Sequence, residues 1–528
     1  MTYISFYGGI STIGGNCIII EEDEKRIMLD NGMCFSKENK FYKDFLSPRS
    51  TNDLRDYFEL DLIPKIPGIY GKEKIQDLCA CNIDESNKYL YECGILSYEE
   101  YLEEYGEPYL SALFLTHAHL DHVRNIKFLA PEIPIYCSEI TKKLLEIICD
   151  LSDYKFLEYS YYEQKELGKR SLTPGEIKKK KFYEKRNIIT ISSEEIVNVD
   201  NEDKVFQVKG YSVDHSIPGA MAYEISTKQN KRLVYTGDLR FHGHIHEKEC
   251  SLNFIDNIAP KPDVLINEGT RIDDNEFMSE DDVIKNMTNS VSDDLELSNK
   301  LIIASFPWKS ISRFLTTYEV AKNLKRDLVI QPKLAYTIHH LQQFEELKTD
   351  GLLEKQNIKI YLPRKNSMLY SDADYSRQKY YISPNVNWTI GEEIEKYAHF
   401  YGEDILVKSF EIRINPGRYF LHLNFYELNE LIDIQPPKGS YFFNLKTEPF
   451  DEEGELEEKV LRNWLSRFEL EYKNEYFHAS GHASGKEIKD MIKQMNPKQV
   501  YPIHTEKPEL FNFTNAIKDV KIGKKYSV

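Results

Sequence analysis

The stretch LFLTHAHLDHVRNI, Leu113 to Ile126, places three histidines and an aspartate within six positions: His117, His119, Asp121 and His122. Side chains of an extended segment alternate with period two, so His117 and His119 face the same way. Asp121 and His122 follow where the chain turns into a helix, and there they point back at a second position. One loop of this kind can serve two cations, an arrangement suited to in-line attack on a phosphodiester or acyl centre. A structural zinc site would use a closed, cysteine-rich shell; no cysteine lies beside these residues.

Two cations need further ligands, and side chains converge best where strands end at one sheet edge. His215 closes YSVDHS, Asp238 closes RLVYTGD and His504 closes VYPIH, each just past an apolar β-run. A carboxylate at Asp238 can bridge two cations. His242, His244, His246, His339, His340, His399, His422 and His478 lack that support; His242, His244 and His246, close after Asp238, are expected as exposed loop histidines, with a supporting place behind the ligands as the rival. In SGHASGKEIKDMI, Ser484 with Glu487 three residues on fits a capping box, so a helix starts there. Ser480, Gly481 and Ser484 before that helix are candidates for a phosphate site, since free N–H groups at a helix start attract anions. Ser305, after the strand LIIAS, and Arg313, on the next helix, are candidates of the same kind.

The elements that must carry these residues alternate in type. The first 35 residues form short strands, and SALFLT is a buried strand leading into the histidine-rich turn. VRNIKFLA continues as helix and IPIYCS returns as strand, an α/β layering. From about 263, strands and helices follow one another as in a Rossmann-like module (DVLINEG, LIIASF, SRFLTTYEVAKNLK, DLVIQ). Residues 36–110 are irregular and Pro-containing, an insertion that could act as a lid. Residues 141–190 have helical composition with Tyr and Lys interleaved, and IKKKKFYEKR within them is expected as a solvated helix face, with a nucleic-acid strip as the rival.

Composition narrows the classes. Of 528 residues, 41% are hydrophobic, enough for a large core and more than one domain, and the net charge of −18 argues against a protein that coats nucleic acid by charge alone. The eight cysteines have no paired spacing and are expected as reduced thiols; Cys79 and Cys81 form a C-x-C pair that could hold a metal. The longest apolar runs are strand-length, and MTYISFYGGI has no secretory pattern, so no membrane association and a cytoplasmic location are expected.

The runs GGISTIGGN, MLDNG, THAHLDH, DHSIPGA, YTGDLRFHG, INEGT, ASF with Arg313, HASGHAS and PIHTE span residues 8 to 506. In that order they resemble the metallo-β-lactamase-fold hydrolases of the β-CASP branch, which include RNase J and the mRNA 3′-end endonuclease. The resemblance implies an αββα sandwich with an inserted Rossmann-like β-CASP domain. Its expected division is 1–265 and 469–528 for the sandwich, with insertions near 36–110 and 150–195, and 266–468 for the β-CASP domain. It implies one metal on His117, His119 and His215, a second on Asp121, His122 and His504, Asp238 bridging, and a hydroxide between them as nucleophile. Asp30 is then a supporting carboxylate. Glu268 and His482 jointly serve the leaving 3′-oxygen, with Asp121, Glu268 and His482 as the catalytic set. Two Zn2+ are implied, with Mn2+ an alternative, since His/Asp sites accept both. The histidine at His504 resembles the RNA-directed members, so single-stranded RNA is the expected partner and a ribonuclease, exo- or endonucleolytic, the expected activity.

The chain departs from the RNase J pattern in carrying Arg124 after D-H-V, Thr505 after P-I-H and glutamate at Glu268. It ends 22 residues after Glu506, which implies that the C-terminal dimerisation domain of RNase J is missing and leaves the oligomeric state open. A DNA nuclease with the same site, a small-molecule metallo-hydrolase and a non-catalytic scaffold are the rival readings.

Overall fold

In the computed structural model the described residues are 1–43, 46–49, 53–75, 94–151, 158–167, 179–199, 204–258, 261–364, 374–375, 401–446 and 452–528. Two sheets stack face to face. In the first the strands run in the order Lys525–Ser527, Thr2–Gly8, Cys17–Glu22, Lys25–Leu29, Ala112–Phe114, Ile135–Cys137, Ile188–Thr190. In the second they run Gln499–Ile503, Val264–Glu268, Arg232–Tyr235, Met221–Thr227, Phe206–Ser212, Ile196–Val199. Period-two alternation divides each strand between two cores. Ile18 and Ile20 enter the layer between the sheets with Val208, Tyr223, Ile225 and Ile266. Ile19, between them, faces outward with Leu144, Leu145 and Ile148 of the helix Glu139–Leu151. On the far side, Ala222, Val234 and Leu265 lie under Phe254 and Ile255 of the helix Ile245–Ile258 and under Ile488, Met491 and Ile492 of the helix Gly485–Met495. The result is an αββα sandwich.

Between Val264–Glu268 and Gln499–Ile503, neighbouring parallel strands of the second sheet, the chain builds a third sheet. Its seven strands are all parallel: Leu406–Lys408, Ile358–Leu362, Asp327–Ile330, Tyr419–His422, Ile302–Ser305, Tyr441–Asn444 and Glu471–Lys473. Both faces are covered, as an all-parallel sheet requires. Ile302, Leu328 and Ile360 contact one apolar cluster, and Ile303, Val329 and Tyr361 contact the other.

The early insertion supplies core. Leu54, Tyr57, Phe58, Ile63, Ile66 and Tyr70 are buried against the outer face of the first sheet. Residues 76–93, with Cys79 and Cys81, lie outside the described residues. The helical expectation for 141–190 needs correction. Among the described residues of this segment the one α-helix is Glu139–Leu151; Tyr161–Leu167 and Lys179–Lys185 pair as an antiparallel hairpin. Lys and Glu give this segment helical composition, but its interleaved aromatics favour strand pairing. VRNIKFLA likewise is not an α-helix: the helix stops at Val123 and a 3-10 turn, Arg124–Phe128, follows.

Candidate metal centre

All the proposed ligands sit just past strand ends at one edge of the sandwich. The strand Ala112–Phe114 leads to His117, Phe206–Ser212 to His215, Arg232–Tyr235 to Asp238, and Gln499–Ile503 to His504. Asp30 and His504 have left-handed backbone, φ 54° and 50°. For residues other than glycine this is a strained state that tertiary contacts must hold. The turn bearing Asp121 is clasped by the GGISTIGGN and MLDNG loops: Gly15 and Asn16 N–H both donate to the Asp121 carbonyl at 3.2 Å. A Cβ on Gly32 would fall 1.6 Å from that same carbonyl oxygen, so only glycine lets the two strands' ends approach this closely.

Two groups of donor atoms result: His117, His119 and His215; and Asp121, His122, Asp238 and His504. In the first, His117 Nε2 and His215 Nε2 lie 3.1 and 3.2 Å from His119 Nδ1. In the second, His504 Nε2 lies 3.0 Å from Asp121 Oδ2, and His122 Nε2 lies 3.1 Å from Asp238 Oδ2. Asp238 Oδ2 stands between the groups, 3.8 Å from His117 Nε2 and 3.6 Å from His504 Nε2.

A layer of partners fixes which ring nitrogen carries a proton. Asp30, fully buried, accepts from Thr116 N–H and Thr116 Oγ1 at 2.8 Å, from Tyr235 O–H at 2.6 Å and from His122 Nδ1 at 2.7 Å. The Thr116 hydroxyl, donating to Asp30, accepts from His117 Nδ1 at 3.0 Å. His215 Nδ1 donates to the Gly481 carbonyl at 2.5 Å, and His504 Nδ1 meets Thr270 Oγ1 at 2.9 Å. These contacts turn Nε2 of His117, His122, His215 and His504 inward, while His119 presents Nδ1, and such outer partners orient metal-binding histidines.

The residues fit a metal. Burial, with repulsion from neighbouring imidazoles, holds His117 and His215 well below the usual histidine range, and burial brings His119 down to about 3. Three neutral imidazoles thus bring ring nitrogens face to face. Burial opposes charge on His122 too, but Asp238, Asp30 and Asp121 outweigh it and raise that imidazole well above normal. Asp238 Oδ1 is buried without a hydrogen-bond partner. A tetrahedral cation with bonds of about 2.0–2.1 Å needs donors roughly 3.3 Å apart, close to the observed spacings. Clustered lone pairs and an unpartnered carboxylate oxygen are what a cation would satisfy.

Beside this edge, His482 Nδ1 lies 3.4 Å from Glu268 Oε1 and 3.9 Å from Asp238 Oδ2. Glu268 is fully buried and its other oxygen accepts from Thr270 N–H at 2.9 Å. Burial works against charge on His482, but Glu268, then Asp238 and Asp121, raise it to about 9.

The phosphate candidates are placed differently. Ser484 is the buried N-cap of Gly485–Met495, its hydroxyl accepting from Glu487 N–H in a full capping box. Ser480 Oγ accepts from His482 N–H, and the Ser480 carbonyl accepts from Arg240 and His242. Ser305 is buried at its strand end. Arg313 is buried and donates to Glu280 at 2.9 Å and to the Ala479 carbonyl at 2.8 Å. The structure thus does not bring Ser305, Ser484 or Arg313 to an open surface. His242, expected in an exposed loop, is buried against Glu487 and the Ser480 carbonyl. Arg124 bonds Tyr159 and feels Tyr57, Glu38 and Asp53, so it ties the motif turn to the early insertion. Thr116, Tyr235 and Thr270 escaped the sequence reading, although each lies inside a quoted motif.

A family model described as Zn-dependent metallo-hydrolase RNA specificity domain matches residues 467–527. Ribonuclease J of Mycoplasma genitalium is 22% identical over 535 aligned residues, 98% of this chain and 70% of the relative. Ribonuclease J of Mycoplasma pneumoniae is 21% identical over 530, 99% of this chain and 71% of the relative. A probable RNase MJ4 of Methanocaldococcus jannaschii is 22% identical over 277, 51% of this chain and 45% of the relative. A solved structure, a protein of unknown function from Enterococcus faecalis V583, superposes with a TM-score of 0.67 at 20% identity, covering 99% of both chains. Among the described residues no helix is long and apolar enough to cross a membrane.

Proposed function

We propose that this chain, an RNase J-like protein of the metallo-β-lactamase/β-CASP type, is a two-metal ribonuclease that hydrolyses RNA to a 3′-hydroxyl and a 5′-phosphate. The observation that carries the reading is the pair of donor groups, with Asp238 Oδ2 of the second reaching within 3.8 Å of His117 in the first and His482 and Glu268 beside them. The RNA-specificity match at 467–527 covers His482 and His504 and directs the substrate toward RNA.

His117, His119 and His215 would hold one cation, Asp121, His122 and His504 the other, with Asp238 between. Histidine-rich donors favour zinc, and manganese is the alternative. Two bound cations supply a water of lowered pKa and neutralise charge on the phosphodiester. The chain's own part is orientation and proton transfer. Asp30, Thr116, Thr270 and the Gly481 carbonyl hold the rings so that one nitrogen of each faces inward. His482, held charged by Glu268, is the acid that protonates the departing 3′-oxygen. In this reading the unit over about 266–468, with the strand Glu471–Lys473, closes over the site to form the substrate cleft.

The test is cleavage of matched labelled RNA and DNA by the purified chain, with Asp121→Ala as control. RNA cleavage lost in the variant supports the reading. Preference for DNA makes it a DNA nuclease, and activity surviving in the variant, or none on any nucleic acid, overturns it.

A further inference from the structure

The members of the centre differ in exposure. Of its members His119, Asp121 and His482 are partly exposed, whereas His117, His122, His215, Asp238, His504 and Glu268 are buried. Substrate must therefore arrive past His119, Asp121 and His482. The loop Phe306–Ser310 comes to this same side: just after it, Ser312 accepts from Arg240, which also holds the Ser480 carbonyl, and Arg313 donates to the Ala479 carbonyl, three residues before His482. It follows Ile302–Ser305 at the carboxyl end of the parallel sheet, where open α/β sheets bind ligands. Pro307 exposes the turn, and its carbonyl accepts from Ser310 N–H at 2.9 Å before the helix Ile311–Asn323 begins.

Lys309, in that loop, is half-buried, and its ammonium lies 5.8 Å from the Trp308 ring centre. Its charge acts on both His119 and Asp121, 190 and 188 positions earlier in the chain. Those are two of the three residues that frame the opening. Among the described residues Lys309 makes no ion pair and no side-chain hydrogen bond. Burial of its ammonium lowers its basicity, with Asp121 as the counterweight. The other buried cations nearby are all engaged: Arg240 with Asp214, Glu247 and Glu280, and Arg313 with Glu280. A lysine held at the mouth of a carboxylate-rich centre against Trp308, with no carboxylate or hydrogen-bond partner among the described residues, is placed for an anion that comes and goes. The substrate of the proposed reaction brings such anions one per nucleotide.

We propose that Lys309 is a substrate-binding residue, its ammonium contacting a backbone phosphate of the RNA strand at the cleavage point, opposite His482. This rests on the ribonuclease reading and assigns part of its specificity to the loop Phe306–Ser310. A lysine acts here as a point charge, so arginine at the same place should keep most of the effect.

The test compares wild type with Lys309→Met and Lys309→Arg in the full-length, metal-loaded chain. Binding of a short fluorescein-labelled single-stranded oligoribonucleotide is read by anisotropy across a salt series, and cleavage is read separately as KM and kcat. Lys309→Met is expected to weaken binding and raise KM about tenfold. It should lower the salt slope by about 0.7, the value for one phosphate contact on a single strand. Metal content and thermal melting stay as in wild type, and Lys309→Arg restores most of the affinity. Unchanged affinity and salt slope in Lys309→Met overturn the proposal, as does loss of metal or of folding in Lys309→Arg, which would make the residue structural. A wild type that binds RNA but does not cut it counts against the ribonuclease reading and leaves Lys309 to be judged by the anisotropy series. A wild type that neither binds nor cuts overturns both.

Discussion

Two buried clusters of charge adjoin in this molecule, and they differ in whether they are complete. Asp214 and Arg240 belong to one, His215 and Asp238 to the other. Around Arg240 all is paired: its three nitrogens donate to Asp214, Glu280, Glu247, Ser312 Oγ and the Ser480 carbonyl. Glu280 also takes Arg313 and Thr316, and although burial opposes its charge, Arg313 and Arg240 lower its carboxyl to about 2. In the metal centre neutral imidazole nitrogens face one another and Asp238 Oδ1 has no partner. A completed cluster is architecture: it pins Glu280 and Arg313 from the inserted unit to Arg240 of the sandwich and to the backbone before His482. An incomplete one awaits a cation.

Substitutions should separate the clusters. The largest effect is expected for Asp238→Ala, which removes the shared ligand. Lewis-acid stabilisation of several kcal/mol goes with it, so RNA cleavage falls roughly 10³-fold or more. Bound metal measured on the same sample falls too, while the urea midpoint of the metal-free chain moves little. Arg240→Met is the converse. It leaves Asp214 and Glu247 without their cation and Glu280 with Arg313 alone, and breaking a buried pair in this way costs about 3–5 kcal/mol. Urea unfolding should show that loss, with metal content per folded chain retained. A variant that kept its stability and lost its metal would erase the distinction.

Smaller effects probe the outer partners. Asp30→Asn keeps the shape but weakens acceptance from His122 Nδ1. A tenfold to hundredfold drop in metal affinity is expected in a competitive chelator titration, about what such outer partners contribute. Glu268→Gln tests the proton. His482 must be protonated to act as an acid, so kcat falls as pH rises through its pKa. Glu268 is the main group raising that pKa, so its neutralisation should move the alkaline limb of the kcat profile to lower pH. A limb that stays in place would mean that another group donates.

How much the sequence revealed follows from how local each signal is. The ligands were legible because every one lies in a short motif at the end of an apolar run, and Glu268 and His482 because their motifs resemble a family. The hairpin Tyr161–Leu167 with Lys179–Lys185 was not legible, since strand pairing depends on a partner that composition does not announce. Arg240, Glu280 and Arg313 were hidden for a related reason. An ion pair between residues dozens of positions apart has no local pattern, and Arg313 on its own suggested a phosphate site until Glu280 was seen against it. Ser484 was legible as a cap, and that same cap takes up the hydroxyl that a phosphate site would need.

The most direct test of the central claim is the number of cations bound at saturation, measured by inductively coupled plasma mass spectrometry after equilibrium dialysis against zinc. Two per chain in wild type, falling in Asp238→Ala, is the result expected from two donor groups sharing one carboxylate. One or fewer per chain in wild type would contradict it.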